Sequence, residues 1–203
     1  MKLDPFYPIF DHSRWLAALL PLGIKLLQLR IKDQPDCELR TEIQTAKSLC
    51  ARFGCQLVIN DYWQLALDLG CDFIHLGQAD LEAADVPAIK AAGIGIGIST
   101  HSDAELERAL SLTPDYVALG PVYPTILKKM PWAPQGLGEV GRWKKRIGNI
   151  PLVGIGGIDL ERAQGVLRAG ADSVSVVTDI TLNADPEARV RHWIASTSAY
   201  RKT

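Results

Sequence analysis

Eight short, β-rich apolar runs recur along the chain, each followed by a segment of helical character, and this alternation constrains the fold more than any other feature. The runs are FYPIF (6–10), LLQLR (26–30), LVIN (57–60), FIHL (73–76), IGIGIS (94–99), YVALG (116–120), PLVGI (151–155) and SVSVV (173–177). Most are nearly continuous in apolar character, as expected of strands covered on both faces. Between them, CELRTEIQTAKSLCARF (37–53) places Leu39, Ile43, Ala46, Leu49 and Cys50 on one helical stripe. Ser102 with Glu105 three residues later reads as a capping box. The segment 159–170 opens on an acidic cap, Asp159, and closes at Gly170, and 185–194 opens on Asp185 with Pro186 in its first turn.

Strand-then-helix units imply a parallel sheet. Eight of them close most naturally into a (β/α)₈ barrel, for which about 200 residues is the short end. The expectation is one α/β domain, a single TIM barrel over residues 1–203. An open doubly wound sheet is the alternative, but its glycine-rich turn after the first strand is missing. AGIGIGIST (92–100) imitates a dinucleotide fingerprint, yet Gly95 and Gly97 fall inside a strand rather than in the turn beyond it.

Composition narrows the partners. The 203 residues are 47% hydrophobic and 22% charged, with a formal net charge of −1. That balance argues against a broad electrostatic grip on nucleic acid or on an anionic membrane, while leaving room for a local anion pocket. The longest apolar stretch, 16–29, is interrupted by Pro21, Gly23 and Lys25 and is too short to span a bilayer. MKLDPFYPIF contains no uninterrupted apolar region, so no secretory leader is expected and the reading is cytoplasmic. Cys37, Cys50, Cys55 and Cys71 lack zinc-knuckle spacing and read as reduced, mostly buried thiols. A homo-oligomer is compatible with the sequence, which does not specify the assembly.

In barrels of this kind, functional groups sit at the C-terminal ends of the strands. Reading only those ends collects Gln28, Arg30, Lys32 and Asp33, then Asn60 and Asp61, Gln78 and Asp80, and Ser99, Thr100 and His101. Thr125 and Lys128 follow the sixth run, GIGGI (154–158) closes the seventh, and Thr178, Asp179 and Ile180 follow the eighth. Asp61 and Asp80 follow neighbouring strands, whose axes lie about 4.8 Å apart. Two carboxylates held that close call for a cation between them, and Mg²⁺ is habitually held by one or two carboxylates plus water and phosphate oxygens. The bland reading is that each aspartate caps a helix. Arg30, Lys32 and Lys128 around such a metal suit a multiply charged anion such as a diphosphate; solvated surface charge is the alternative. GIGGI with VVTDI matches the phosphate site usual in these barrels, although Asp179 would oppose an anion there unless its side chain turns away. His75, inside a strand, reads as a hydrogen-bonded barrel-interior histidine. His101 suits either proton transfer or a loop and cap role. RWKKRIGN (142–149) reads as the wet face and end of a helix, not a nucleic-acid patch.

Taken together and in order, LLQLRIKD, INDYWQLAL, HLGQADL, GISTH, YVALGPVYPT, MPWAPQGL and IGGI resemble the thiamine-phosphate synthase family in its short bacterial form. The resemblance implies a transferase that joins a hydroxymethylpyrimidine diphosphate to a thiazole phosphate, releasing pyrophosphate. It implies that Gln28, Leu29, Arg30, Ile31, Lys32, Asn60, Ser99 and Lys128 hold the pyrimidine diphosphate, with Arg30, Lys32 and Lys128 catalytic. It assigns Mg²⁺ to Asp61 and Asp80, and the thiazole phosphate to Thr125, Ile126, Leu127, Gly157, Val177 and Thr178. Three positions depart from the family pattern: Leu127 stands where a hydroxyl is common, Thr178 where serine is usual, and Asp179 where a small residue is usual. Two other readings are a thiazole tautomerase on the same scaffold, with His101 as proton shuttle, and a non-catalytic sensor of thiamine intermediates. The stretch 128–136 is the expected lid.

Overall fold

In the computed structural model, which describes residues 3–126 and 132–201, eight parallel strands close into a barrel in sequence order. The first half runs β1 (Phe6–Phe10), α1 (Arg14–Leu19), β2 (Leu26–Leu29), α2 (Asp36–Phe53), β3 (Gln56–Asn60), α3 (Trp63–Asp68), β4 (Phe73–Leu76), α4 (Gln78–Ala83) and α5 (Val86–Ala91). The second runs β5 (Gly95–Thr100), α6 (Asp103–Ser111), β6 (Tyr116–Leu119), α7 (Gly136–Ile147), β7 (Leu152–Ile155), α8 (Leu160–Arg168), β8 (Ser173–Val176), α9 (Thr178–Thr181) and α10 (Pro186–Thr197). The barrel closes where Phe6, Tyr7 and Pro8 of β1 lie beside Val174, Ser175 and Val176 of β8. The doubly wound alternative is thereby excluded.

Side-chain parity divides the core in two. One set of strand residues faces outward and meets the helices: Leu27, Leu29, Ile59, Ile74, Leu76, Ile96, Ile98, Val117 and Leu119 all join the large cluster that includes Ile43, Trp143 and Trp193. The other set fills the barrel, where Tyr7, Leu26, Val58, Tyr116, Ala118 and Val153 pack together with Phe73 and Ile155 at their edge. The two strand glycines have a steric cause. A Cβ on Gly95 would sit 2.0 Å from the Phe73 ring, and one on Gly97 would sit 2.0 Å from the Tyr116 ring. Glycine inside a strand here lets aromatic rings cross the barrel.

The helices start and stop for local reasons. Ser102, Asp159 and Asp185 each accept a bond from the backbone N–H three residues on, as does Asp85 at the start of α5. Such a cap contributes about 1 kcal/mol. The capping box at α6 is altered: Glu105 reaches back to the N–H of His101 at 2.6 Å rather than to that of Ser102. On α2, Leu39, Ile43, Ala46 and Cys50 are buried, with Leu49 half-buried at the edge of the stripe. Two short helices, α4 and α5, fill the space between β4 and β5. The four cysteines are free thiols, three of them buried. Among the described residues no helix is long and apolar enough to cross a membrane. The basic face of α7 is paired with acids: Arg142 meets Asp103 and Glu139, Arg146 meets Asp103 and Glu107, and Lys144 meets Asp172.

Candidate active site

The C-terminal ends of β1 to β5 converge over a chain of hydrogen bonds that crosses the barrel. Gln28 Nε2 donates to Tyr7 Oη at 3.0 Å, and Tyr7 Oη meets Tyr116 Oη at 2.9 Å. Tyr116 Oη meets His75 Nδ1 at 2.9 Å, and His75 Nε2 meets Ser99 Oγ at 2.8 Å. The chain ends in Gln28 and Ser99, two expected site residues, while its middle members come from β1, β4 and β6. Burial lowers the His75 pKa to about 4, with Asp61 opposing and Arg30 reinforcing that shift. His75 is therefore the barrel-interior, hydrogen-bonded histidine expected from its strand position. Tyr7 and Tyr116 were not picked out from the sequence. Their signal was the parity of their strands and the glycine opposite Tyr116.

Above this chain lies the charged group. Lys32 Nζ donates to Asp61 Oδ2 in an ion pair. Asp80 faces the same aspartate: burial raises its pKa, then the Asp61 carboxylate and a hydrogen bond to it, with Lys32 opposing. Neither aspartate is a helix cap. The N-cap of α3 is Tyr62, with no side-chain bond, and Asp80 stands inside the first turn of α4 rather than ahead of a later helix. Asp61 takes a left-handed backbone, φ 65°, and its N–H donates to the carbonyl of His75 at 2.9 Å. Non-glycine residues adopt this region uncommonly, asparagine and aspartate more than most.

The donor set suits a hard divalent cation. Two carboxylates confront each other, and Gln78 Oε1, in the same first turn as Asp80, is buried without a hydrogen-bond partner. Among the described residues no group of three or more His, Cys, Asp and Glu side chains could hold a metal. Two carboxylates completed by water and substrate oxygens are the habit of Mg²⁺ rather than of zinc.

Around this pair, Asn60 Nδ2 is buried and unpartnered, so an amide donor stands ready at the mouth. Arg30 is half-buried, and among the described residues no carboxylate forms an ion pair with it. Leu29 and Ile31 are different: both side chains pack into the outer core, leaving only their backbone for a ligand. Gln78 Nε2 donates to the carbonyl of Ser99 at 2.7 Å, tying the first turn of α4 to β5.

The opposite side of the mouth is built from the ends of β6, β7 and β8. The segment after β6 is fastened to the end of β7 by Val122 N–H to Ile155 O at 2.9 Å and Tyr123 N–H to Gly156 O at 3.0 Å. Gly157, φ 63°, could not be another residue without moving this seam, since a Cβ would lie 2.2 Å from the carbonyl oxygen of Pro124. Thr125 follows directly and is half-buried, whereas Ile126 is 84% exposed. Leu127 and Lys128 lie outside the described residues. β7 and β8 pair in register as far as Ile155 beside Ser175; Val177 and Thr178, just past the end of β8, are both half-buried. Asp179 turns away from this side: Arg189 donates to it from Nε at 2.8 Å and Nη2 at 2.7 Å, and Trp193 Nε1 at 2.7 Å. His101 is held by the Glu105 carboxylate at 2.8 Å and stacks on Trp132 with ring centroids 5.7 Å apart. The helix cap itself is Ser102, so His101 is a rim residue oriented by a carboxylate. Of the expected lid, only its last residues, from Trp132, are described.

The family model described as "Thiamine monophosphate synthase" matches residues 7–180. A thiamine-phosphate synthase of Rhizobium etli is 62% identical over 201 residues, covering 99% of this chain and 98% of that protein. One from Klebsiella pneumoniae is 46% identical over 193 residues, covering 95% and 92%. The solved structure of a thiamine phosphate pyrophosphorylase from Pyrococcus furiosus superposes with a TM-score of 0.87 over 98% of both chains. At 24% identity that last likeness bears on the fold alone. With a family model spanning most of the barrel and a relative 62% identical along nearly its whole length, the chain belongs to the thiamine monophosphate synthase family.

Proposed function

We propose that this protein is a thiamine-phosphate synthase, an enzyme that condenses a 4-amino-5-hydroxymethylpyrimidine diphosphate with a thiazole phosphate and releases pyrophosphate. The observation that carries the site assignment is the confrontation of Asp61 and Asp80 at one barrel mouth, with Lys32 on Asp61, the amide of Asn60 unpartnered, and Arg30, like Asp61, within electrostatic reach of His75. A mouth with two adjoining carboxylates and several cationic or amide donors suits a metal-bound diphosphate.

In this reading the C–O bond to the diphosphate breaks first and its electron pair leaves with the pyrophosphate. The amino-substituted pyrimidine spreads the positive charge left on its methylene carbon, and the thiazole nitrogen forms the new C–N bond. Mg²⁺, held by Asp61 and Asp80, would supply neutralising charge for the diphosphate oxygens. Arg30 and Lys32 would donate to the departing oxygens, joined by Lys128 from the loop after β6. The buried Asn60 amide would orient the same group. Gln28 and Ser99 would hold the ring end, while Leu29 and Ile31 would contribute backbone atoms. Thr125, Ile126 and Leu127, with Gly157, Val177 and Thr178, would receive the thiazole phosphate through backbone N–H groups and hydroxyls. No protein nucleophile is required. Preorganised donors act where charge develops, and losing one costs about 3 kcal/mol, roughly a hundredfold in rate.

The test is to mix both substrates with Mg²⁺ and follow pyrophosphate. Release that depends on both substrates, and that Asp61→Ala abolishes while circular dichroism stays unchanged, supports the reading. A wild type that releases none, or an Asp61→Ala variant of full activity, would overturn the enzymatic or the metal assignment respectively.

A further inference from the structure

The hydrogen-bond chain across the barrel has a direction, and that direction reaches the site. Gln28 Nε2 is a donor only, so the Tyr7 oxygen accepts from it. A phenol has one proton, and beyond Gln28 the partner of Tyr7 Oη is Tyr116 Oη, so Tyr7 donates to Tyr116. Tyr116 has then accepted, and its own proton goes to His75 Nδ1. His75 is buried, its ring nitrogens meet hydroxyls and no carboxylate, and Nδ1 already accepts from Tyr116, so the ring is neutral and carries one proton. With Nδ1 accepting, that proton is on Nε2 and is donated to Ser99 Oγ. Every internal donor is then used, and the hydroxyl proton of Ser99 is left over, directed away from the imidazole.

The rings that transmit this polarity are sterically clamped. Tyr116 is stacked on His75 with centroids 5.6 Å apart, edge-on to Tyr7 at 6.1 Å, and backed by Gly97, where even a methyl group would collide with it. The backbone of Ser99 is fixed separately, by Gln78 donating to its carbonyl at 2.7 Å. Position and proton direction at Ser99 are thus set by two independent contacts. The reverse polarity would spend the Ser99 proton on His75 and leave only a lone pair at the mouth, the wrong polarity for an anionic or acceptor-rich substrate group.

We propose that His75 and Tyr116 are positioning residues that act through Ser99: Tyr116 holds His75 as its Nε2–H tautomer, which makes the Ser99 hydroxyl an obligate donor toward the pyrimidine diphosphate. The ligand named here rests on the function proposed above, whereas the polarity of the chain does not. In this assignment neither His75 nor Tyr116 touches the reacting atoms. Their effect is to preorganise one hydrogen bond, and the distance from Gln28 to Ser99 is spanned without a charged group.

Two measurements test it. In ligand-free protein carrying ¹⁵N-histidine, long-range ¹H–¹⁵N correlation at pH 7 should give His75 a protonated Nε2 and a bare Nδ1. A protonated Nδ1 overturns the proposal whatever the enzyme does. Kinetically, Tyr116→Phe keeps the ring and should lower kcat/KM for the pyrimidine diphosphate about tenfold, one hydrogen bond's worth, with KM for the thiazole phosphate unchanged. In a double-mutant cycle the Tyr116→Phe penalty should vanish in a Ser99→Ala background. Additive penalties would mean that Tyr116 acts only on the fold, and would overturn the positioning role. A wild type without synthase turnover counts against the proposed function, and the tautomer then decides the chain's polarity alone.

Discussion

Arg189 grips Asp179 with two parallel hydrogen bonds, from Nε at 2.8 Å and Nη2 at 2.7 Å, and so draws a carboxylate away from the side of the mouth where a phosphate is expected. Trp193 Nε1 completes the grip at 2.7 Å. The ion pair spans from the first turn of α9 to α10 and is mostly buried. Read in sequence alone, Asp179 is an anion beside an anion site. Its partner changes that meaning.

Removing the partner should therefore affect both stability and binding. Arg189→Ala leaves a partly buried carboxylate with only the indole N–H, at a cost of about 2 kcal/mol. The urea midpoint should fall, and under the proposed assignment KM for the thiazole phosphate should rise while KM for the pyrimidine diphosphate stays put. Equal changes in both constants would show that Asp179 does not influence one side selectively.

Asp80 should behave in the opposite way. Burial and the Asp61 carboxylate raise its pKa, so its charge destabilises the fold as pH rises through that raised value. Asp80→Asn should raise the melting temperature of metal-free protein at neutral pH. It should also remove the stabilisation by Mg²⁺, which in the wild type would reach about 2.7 kcal/mol at a hundredfold excess over Kd. Calorimetry with and without the ion checks both halves; an Asn variant still stabilised by Mg²⁺ would locate the ion elsewhere.

The buried imidazole sets an acid sensitivity. The folded His75 pKa of about 4 lies below the ordinary 6.5. Between those values the unfolded chain binds a proton that the folded chain refuses. The His75 contribution to stability should thus be full above pH 6.5, fall as pH drops toward 4, and stop falling there, for a total of about 3 kcal/mol. Urea unfolding at pH 7.0 and 4.5 should show a smaller acid loss for His75→Gln than for the wild type. An identical loss would mean that the imidazole is protonated in the fold.

Gly157→Ala tests the seam between β6 and β7. The new methyl meets the Pro124 carbonyl oxygen at 2.2 Å, at a residue whose φ of 63° already disfavours a side chain. A left-handed non-glycine residue costs about 2 kcal/mol before any clash. The variant should fold with a lowered melting temperature and a raised KM for the thiazole phosphate. Unchanged KM values would show that this seam does not shape the phosphate side.

Much was legible in the eightfold alternation of apolar runs. Strand order, parallel direction and the rim that carries Arg30, Asn60, Asp61 and Ser99 all follow from where each run ends, because local chain periodicity and short connections leave one compact solution. Boundaries shifted by a residue or two, and the paired short helices α4 and α5 were not foreseen, which is why Asp80 turned out to be inside a first turn instead of ahead of one.

Side-chain direction and partnership were beyond that reading. Tyr7 and Tyr116 are 109 residues apart, and only barrel closure brings their hydroxyls to 2.9 Å. Asp179 and Arg189 needed α10 to pack against α9 before one could neutralise the other. The sequence by itself determined where each strand ends and which rim its last residues share, since strand parity and turn position are properties of the local chain. The tertiary structure decided what each of them does there, since hydrogen bonds, ion pairs and shifted pKa values depend on neighbours that only the closed barrel supplies.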